Sequence, residues 1–517
     1  YMQKINMMFT IHFETLGCKL NQIETESIAR FCADAGFLVT MEHSTASKTE
    51  SSPILSIINT CTVTTKAEQK ARRIIRMLLT KFPAAAILVT GCYAQVEKQQ
   101  IESIDSRVFV VPGTAKDILA DFPSFFMGIL KKLEKIPQTK NDAKSLVEIL
   151  KAWPPLKNNT TINNIAKDSK QNAITLAIGN DNKFRLATDS FMQHSRGSIK
   201  IQDGCSNKCA YCRICIARGQ SVSIAPAEAL KRIKNIEDSG HTEVVLTGVN
   251  LSLYKGTLST ENGEQEIDFA GLLKYLLENT NKISFRISSL YPERVDKTLC
   301  KIIAHKRIRA HFHLSVQSGS NKILKSMRRP YESEAIIQAV EQLRKAKDNP
   351  FIACDIIAGF PGETDDDFEQ TKELCQKCNF TYIHAFPFSP RPDTEAYTMK
   401  NKVPERITKE RIEWLSDFAR KSKAKYAKSF VGKYLRAVVE KRESNIGKAV
   451  TENFLHIFIE ENKQILKKYA GKEVIVLITK TSNIKGKEEE TEAYAVLAKD
   501  KTFSNSINQH FNQTTAD

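Results

Sequence analysis

The sequence predicts an α/β protein built in three parts: an N-terminal doubly wound parallel sheet, a central partial (β/α)6 barrel and a small C-terminal β-barrel. Three observations carry that expectation. Short apolar runs alternate with helical patterns over the first 117 residues, a longer alternation of six such units resumes after residue 190, and short β-like segments close the chain. A chain of 517 residues also accommodates about three domains at roughly 150 residues each. Every one of them has enough interior to bury a core without disulfide staples.

In the first part, FTIHFETLG, ILSIINT and AAILVTG read as strands, and Glu68 to Lys81 reads as a helix. Ligands of such sheets gather at the carboxyl ends of the strands. Cys18 (TLGCKLNQ), Cys61 (NTCTVT) and Cys92 (TGCYAQ) stand at those three ends. One cysteine after a strand is commonplace, because free cysteine packs well. Three after three successive strands predict a site.

Residues 118–189 lose the pattern in KKLEKIPQTKNDAK and WPPLKNNTTINN and read as an insertion or linker with one or two short helices. From 190 to 424 the strand candidates are SIKIQ, EVVLTG, SFRISS, FHLSVQ, IACDIIAGF and YIHAFPF, too few for an eightfold barrel. Their carboxyl ends are small and polar, with Gly248, Ser288, Ser289, Gln317, Ser318 and Gly359 marking the expected mouth.

The third part, residues 425–500, is expected to fold as a barrel of the oligonucleotide-binding sort from YLRAVVEKR, FLHIFIE and VIVLITK, leaving 501–517 as a tail. Lys plus Arg number 76 against 59 Asp plus Glu, a formal charge of +17. Of that excess, +8 falls between Asn401 and Val450, including RKSKAKYAK. A lysine-rich composition or a solvated helix face would also give a basic chain, but a basic run beside a small β domain favours RNA. No apolar run approaches the ~20 residues that span a bilayer. The opening YMQKINMM lacks an apolar signal core, so a soluble, cytoplasmic, reduced setting is expected for the twelve cysteines, and Tyr1 ahead of Met2 reads as an edge.

The strongest local signal is GCSNKCAYCRICIARG at 204–219. Cys205, Cys209 and Cys212 have C-x3-C-x2-C spacing, which lets one loop wrap three corners of a cubane iron–sulfur cluster. Three thiolates on four irons leave one iron open. Cys215 extends the run to four, and four thiolates can close a tetrahedral zinc site or complete a cluster. Zinc sites usually pair two separated knuckles, whereas these four share one short span. Cys32, Cys300, Cys354, Cys375 and Cys378 read as small apolar side chains.

Taken with TLGCKLNQIETE, INTCTVT, VTGCYAQ, IKIQDGCSNKCAYC, RISSLYPE, LSVQSGSNKILKSMRRPY, DIIAGFPGET and HAFPFSPRPDTEAY, the chain resembles the radical S-adenosylmethionine tRNA methylthiotransferases over nearly its whole length outside 118–189. Lys19 to Gln22 and Thr62 to Thr64 look like the branch acting on threonylcarbamoyladenosine. Enzymes of isopentenyladenosine-tRNA and of a ribosomal protein are the neighbouring branches. Two positions depart from the family pattern: Cys215, where proline is common, and Val222, where arginine is common.

The resemblance implies two 4Fe-4S clusters, one on Cys205, Cys209 and Cys212 that cleaves S-adenosylmethionine to a deoxyadenosyl radical, and one on Cys18, Cys61 and Cys92 that carries sulfur. It implies a tRNA anticodon-loop substrate, methylthiolated at C2 of the adenosine next to the anticodon, an external reductant and sulfur source, and a C-terminal RNA-binding TRAM domain. Tyr211, Gly248, Ser289 and Gln317 are the candidate S-adenosylmethionine contacts. Arg286, Arg328, Arg329 and Arg391 are candidates for phosphate or cofactor, or for ordinary ion pairs. No side-chain catalyst is assigned, since cofactors carry such chemistry. A radical enzyme using its N-terminal cluster for electron relay and a zinc-stabilised RNA-binding protein without chemistry are the competing readings.

Overall fold

A computed structural model describes residues 9–41, 52–133, 137–153, 183–189, 191, 195–261, 263–441, 446–485 and 490–498. The expected tail, 501–517, lies outside the described residues, as does most of 154–194.

The N-terminal sheet contains β1 (Thr10–Thr15), β2 (Leu38–Thr40), β3 (Leu55–Thr60), β4 (Ala86–Gly91) and β5 (Val108–Val110), all parallel in the order β2-β1-β3-β4-β5. β3 and β4 are buried on both faces, which explains their unbroken apolar sequences. One face packs Ile11, Phe13, Ile57 and Leu88 on the helix Lys19–Asp34. The other packs Ile58, Ile87 and Val89 on the helix Thr65–Lys81, capped by Thr64. Strand order reverses between β1 and β3, creating the crevice where doubly wound sheets bind ligands. The helices Phe122–Leu130 and Lys140–Lys151, from the stretch read as an insertion, add Phe122, Phe126, Leu146 and Leu150 to the first of these cores.

The central part holds β6 (Gly197–Lys200), β7 (Gln202–Asp203), β8 (Val222–Ser223), β9 (Glu243–Thr247), a hairpin of β10 (Gly256–Thr260) and β11 (Gly263–Ile267), β12 (Ser284–Ile287), β13 (Ser289–Leu290), β14 (His311–Gln317), β15 (Phe351–Ala358) and β16 (Tyr382–Pro387). The parallel sheet β6-β9-β12 continues through Ser288 into the parallel sheet β13-β14-β15-β16. The six expected units are thus present as an incomplete barrel. Alternate residues such as Leu246, Ile287, Leu314 and Ile356 face the surrounding helices.

β17 (Tyr434–Val439), β18 (Lys448–Thr451), β19 (His456–Ile459), β20 (Glu473–Thr481) and β21 (Ala493–Leu497) form a closed five-stranded barrel, β17-β18-β19-β21-β20. The helix Glu405–Lys428 leads into it along β16. This small barrel seals the amino-terminal end of the larger one. Glu243 on β9 pairs with Arg286 at 2.7 Å and Arg309 at 2.8 Å, and Arg286 also donates to the Thr451 carbonyl. The Phe454 ring lies 3.9 Å from the His311 ring and 5.2 Å from the Arg286 guanidinium.

Candidate cluster sites

The N-terminal cysteines converge. Cys18 precedes the helix Lys19–Asp34, Cys61 follows β3 and Cys92 opens the short helix Cys92–Val96. Gly17 lies so near Cys61 that a Cβ on it would stand 2.8 Å from the Cys61 Cβ. Gly91, at φ +96°, brings the chain within 2.4 Å of Asn59 Oδ1 and the Thr60 carbonyl, measured from the position of an added Cβ. Only glycine fits there, and the turn it permits aims Cys92 at the crevice. Asn21 ties the group together, donating to the Leu16 and Thr60 carbonyls at 2.8 and 3.0 Å, while the Cys18 thiol points at its Oδ1 from 3.8 Å. Burial pushes the Cys61 thiol up to about 12 and the Cys92 thiol upward as well, so metal loading must displace protons.

The second site is a loop between β7 and the helix Ile214–Arg218. The Cys205 amide donates to the Gly219 carbonyl and the Cys212 amide to the Cys209 carbonyl. Gly204, at φ +70°, sits where a Cβ would lie 2.1 Å from the Gln220 carbonyl oxygen. Arg329 donates to Cys209 Sγ at 3.3 Å and to Tyr291 Oη at 3.1 Å, and its guanidinium lies over the Tyr291 and Tyr331 rings. Burial raises the Cys205 thiol and pushes Cys212 up to about 12.

A tetrahedral zinc ion draws its thiolates to about 2.3 Å from one centre. Among the described residues no three His, Cys, Asp or Glu side chains are gathered around such a point. A cubane takes each thiolate at a separate corner, and three cysteines on one loop beside a fixed guanidinium suit that arrangement. Cys215 lies half-buried on the following helix. Cys32, Cys300, Cys354, Cys375 and Cys378 are all buried in apolar cores, as their residue type leads one to expect.

Of the candidate cofactor contacts, Tyr211 follows Cys209 and packs edge-on against Phe360. Gly248 follows β9 against Gln202, Ser289 starts β13, and Gln317 ends β14. Gln317 has φ +70°, a conformation costly for a residue with a side chain and frequent where a site is shaped. Gly248 and Gln317 close their strands and Ser289 follows the end of β12, so three of these contacts stand toward the carboxyl side of the barrel.

The four arginines separate. Arg329 belongs to the second cysteine site. Arg286 is buried in its pair with Glu243 at the opposite end of the barrel, a structural position, because its guanidinium is already bound by a carboxylate and a carbonyl. Arg328 is exposed and pairs with Glu395 at 2.5 Å. Arg391 bridges the two large domains, donating to Thr62 at 2.9 Å and Thr65 at 3.1 Å and pairing with Glu68. Residues absent from the sequence reading complete the join: Lys116, Glu24, Asp203 and Lys200 meet Arg218 in a buried ionic cluster between the two cysteine sites. Their numbers span 24 to 218, so no spacing rule could link them.

Comparison with known proteins agrees with this geometry. The radical SAM superfamily pattern matches residues 199–375, and that of an uncharacterised family, UPF0004, matches residues 10–113. The threonylcarbamoyladenosine tRNA methylthiotransferase MtaB of Treponema pallidum is 42% identical over 475 residues, covering 88% of this chain and 95% of that protein. Its namesake in Thermotoga maritima is 33% identical over 84% of this chain and 87% of its own. The tRNA-2-methylthio-N(6)-dimethylallyladenosine synthase of Helicobacter pylori is 30% identical over 88% and 94%. Among solved structures, the radical S-adenosylmethionine methyltransferase TsrM of Kitasatospora setae is similar at a TM-score of 0.47 and 14% identity, over 76% of this chain and 74% of that one. A 4Fe-4S cluster and S-adenosylmethionine are the cofactors that membership in the superfamily implies. With two cysteine trios in place and full-length relatives at these identities, the chain belongs to the radical S-adenosylmethionine methylthiotransferases and is most like their MtaB branch.

Proposed function

We propose that the protein methylthiolates C2 of N6-threonylcarbamoyladenosine at position 37 of tRNA, next to the anticodon. The observation that supports this reading best is the pair of three-cysteine sites joined through Arg218, together with the names borne by the relatives. In this reading Cys205, Cys209 and Cys212 hold one 4Fe-4S cluster, with Tyr211, Gly248, Ser289 and Gln317 around S-adenosylmethionine. Cys18, Cys61 and Cys92 hold a second. When bound, the groups supply one-electron cleavage of S-adenosylmethionine at the first site and sulfur at the second.

The chain's own residues do the rest. Arg329, wedged between Tyr291 and Tyr331, places a fixed cation against Cys209. Arg391 and its partners Thr62, Thr65 and Glu68 hold the N-terminal domain over the barrel, which keeps the two sites at one distance. The C-terminal barrel and its basic approach helix hold the tRNA backbone as a TRAM domain, while a loop base, free to be splayed out, enters the mouth. An external reductant and sulfur source are required.

Nucleoside mass spectrometry of tRNA from cells with and without the gene tests the reading. The 2-methylthio form of threonylcarbamoyladenosine should vanish without it, leaving the unthiolated nucleoside. Its persistence, or loss of the methylthio group from isopentenyladenosine instead, would overturn the assignment.

A further inference from the structure

Between the two cysteine sites lies a set of ionic side chains that water hardly reaches: Glu24, Lys116, Lys200, Asp203 and Arg218 are each 4% exposed or less. Arg218 donates to Asp203 Oδ1 at 2.8 Å, Glu24 Oε1 at 3.2 Å and Asn21 Oδ1 at 2.7 Å. Lys116 pairs with Glu24 at 2.5 Å, and Lys200 with Asp203 at 3.0 Å and Glu24 at 3.3 Å. Three cations therefore face two carboxylates. Lys183, donating to the Arg218 carbonyl at 3.2 Å, and Asp117 flank the set as one further cation and one further acid. Burial disfavours the charged form of each, lowering the Lys183 ammonium and raising the Asp117 carboxyl.

The set thus carries one positive charge in excess, and a buried charge without a counter-charge is costly. Thiols are among its neighbours. Arg218 and Lys116 are the cations acting on Cys92, and Arg218 acts on Cys61 and, through Asn21, stands beside Cys18. Three thiolates on an oxidised 4Fe-4S core, which carries two positive charges, leave one negative charge. That is the missing counter-charge.

We propose that this ionic cluster is the electrostatic seat of an iron–sulfur cluster on Cys18, Cys61 and Cys92, with Arg218 as the positioning residue that sets its reduction potential. The proposal rests on the two-cluster reading above. Electron uptake makes the cluster more negative, so each nearby cation favours reduction and each nearby carboxylate opposes it. Because Arg218 also binds Asp203, two residues before Cys205, the seat fixes the register of one cysteine loop against the other.

EPR-monitored redox titration of the reconstituted full-length protein separates this role from a merely structural one. Arg218→Met and Lys116→Met should shift the N-terminal cluster to more negative potential, Glu24→Gln should shift it to more positive potential, and Arg218→Lys should stay near the parent. The cluster on Cys205, Cys209 and Cys212 should move less in every case. Loss of the N-terminal cluster from both cation variants with retention in Glu24→Gln would also support the seat. Shifts of one sign in all three charge-removing variants, no shift in any, or loss of the cluster from all three would overturn it. A parent protein that holds a single cluster would instead refute the two-cluster reading itself.

Discussion

Two glycines show how tightly single residues are bound to the site. Gly91 and Gly204 each immediately precede a cysteine, each has positive φ, and each lies where a Cβ would collide with backbone oxygen. Gly91→Ala should cost about 3 kcal/mol or more through strain and overlap. In the two-cluster reading, iron per chain should fall from about eight toward about four, as a colorimetric iron assay would show. In the proposed reading the cysteines divide by role. Cys18→Ala should keep deoxyadenosine formation and lose thiolation, whereas Cys209→Ala should lose both; equal deoxyadenosine from the two variants, measured by chromatography, would contradict the division. At this scale the sequence was informative wherever chemistry demanded a residue type. The strand-end positions of Cys61, Cys92 and Gln317, and the loop that carries Cys205, Cys209 and Cys212, were legible from motif and pattern. The partners of Arg218 were not, because lysines and carboxylates scattered over the chain ordinarily read as surface.

At the scale of elements, the buried pair of Glu243 with Arg286 and Arg309 locks β9, β12 and the loop before β14 to the C-terminal barrel. Burial alone would raise the Glu243 carboxyl, but the two arginines outweigh it and hold it at about 2. A depressed folded-state value means stability that is present above the unfolded value of 4.5 and lost as pH falls toward about 2. Glu243 should contribute roughly 3 kcal/mol across that window. Glu243→Gln should therefore flatten acid denaturation between pH 4.5 and 2, followed by circular dichroism. At neutral pH it should destabilise by about 3–5 kcal/mol, since it leaves the buried Arg286 guanidinium without its carboxylate while Arg309 keeps Glu473. The strands themselves were legible where a short apolar or alternating run stood between turn residues, as in EVVLT and SFRI. β2 and β5 have three residues each, too few to show a period, and β10–β11 is a largely exposed hairpin without an apolar face. The helices Phe122–Leu130 and Lys140–Lys151 fall in the stretch where one or two short helices were expected, but the polar sequence around them did not show that their buried faces join the N-terminal core.

Over the whole molecule, the excess of cations is divided between two tasks. Part is buried between the cysteine sites, and part lies on the approach to the C-terminal barrel, where Lys421, Lys425 and Lys428 are exposed on the helix Glu405–Lys428. If that face holds tRNA, affinity should fall with salt at a slope of about 0.7–0.9 in log–log units per phosphate engaged. Lys425→Ala with Lys428→Ala should reduce the slope by one to two, measured by filter binding, while leaving iron content unchanged. The three-part architecture was legible because each part has its own pattern: apolar runs with helices, the same with a polar mouth, then short β segments. Their mutual placement was not, since it rests on side chains such as Arg391 and Phe454 whose partners are hundreds of residues or a whole domain away.

The Phe454 loop under the barrel has one more consequence. Because the C-terminal barrel supplies Thr451, Phe454, Glu452 and Glu473 to charges that the larger barrel buries, the two are not interchangeable modules. A chimera that exchanged the last hundred residues for those of a relative would need to carry the matching loop, or redesign Arg286 and Arg309 with it. Change that leaves this seam intact is therefore confined to the solvent-facing side of the small barrel.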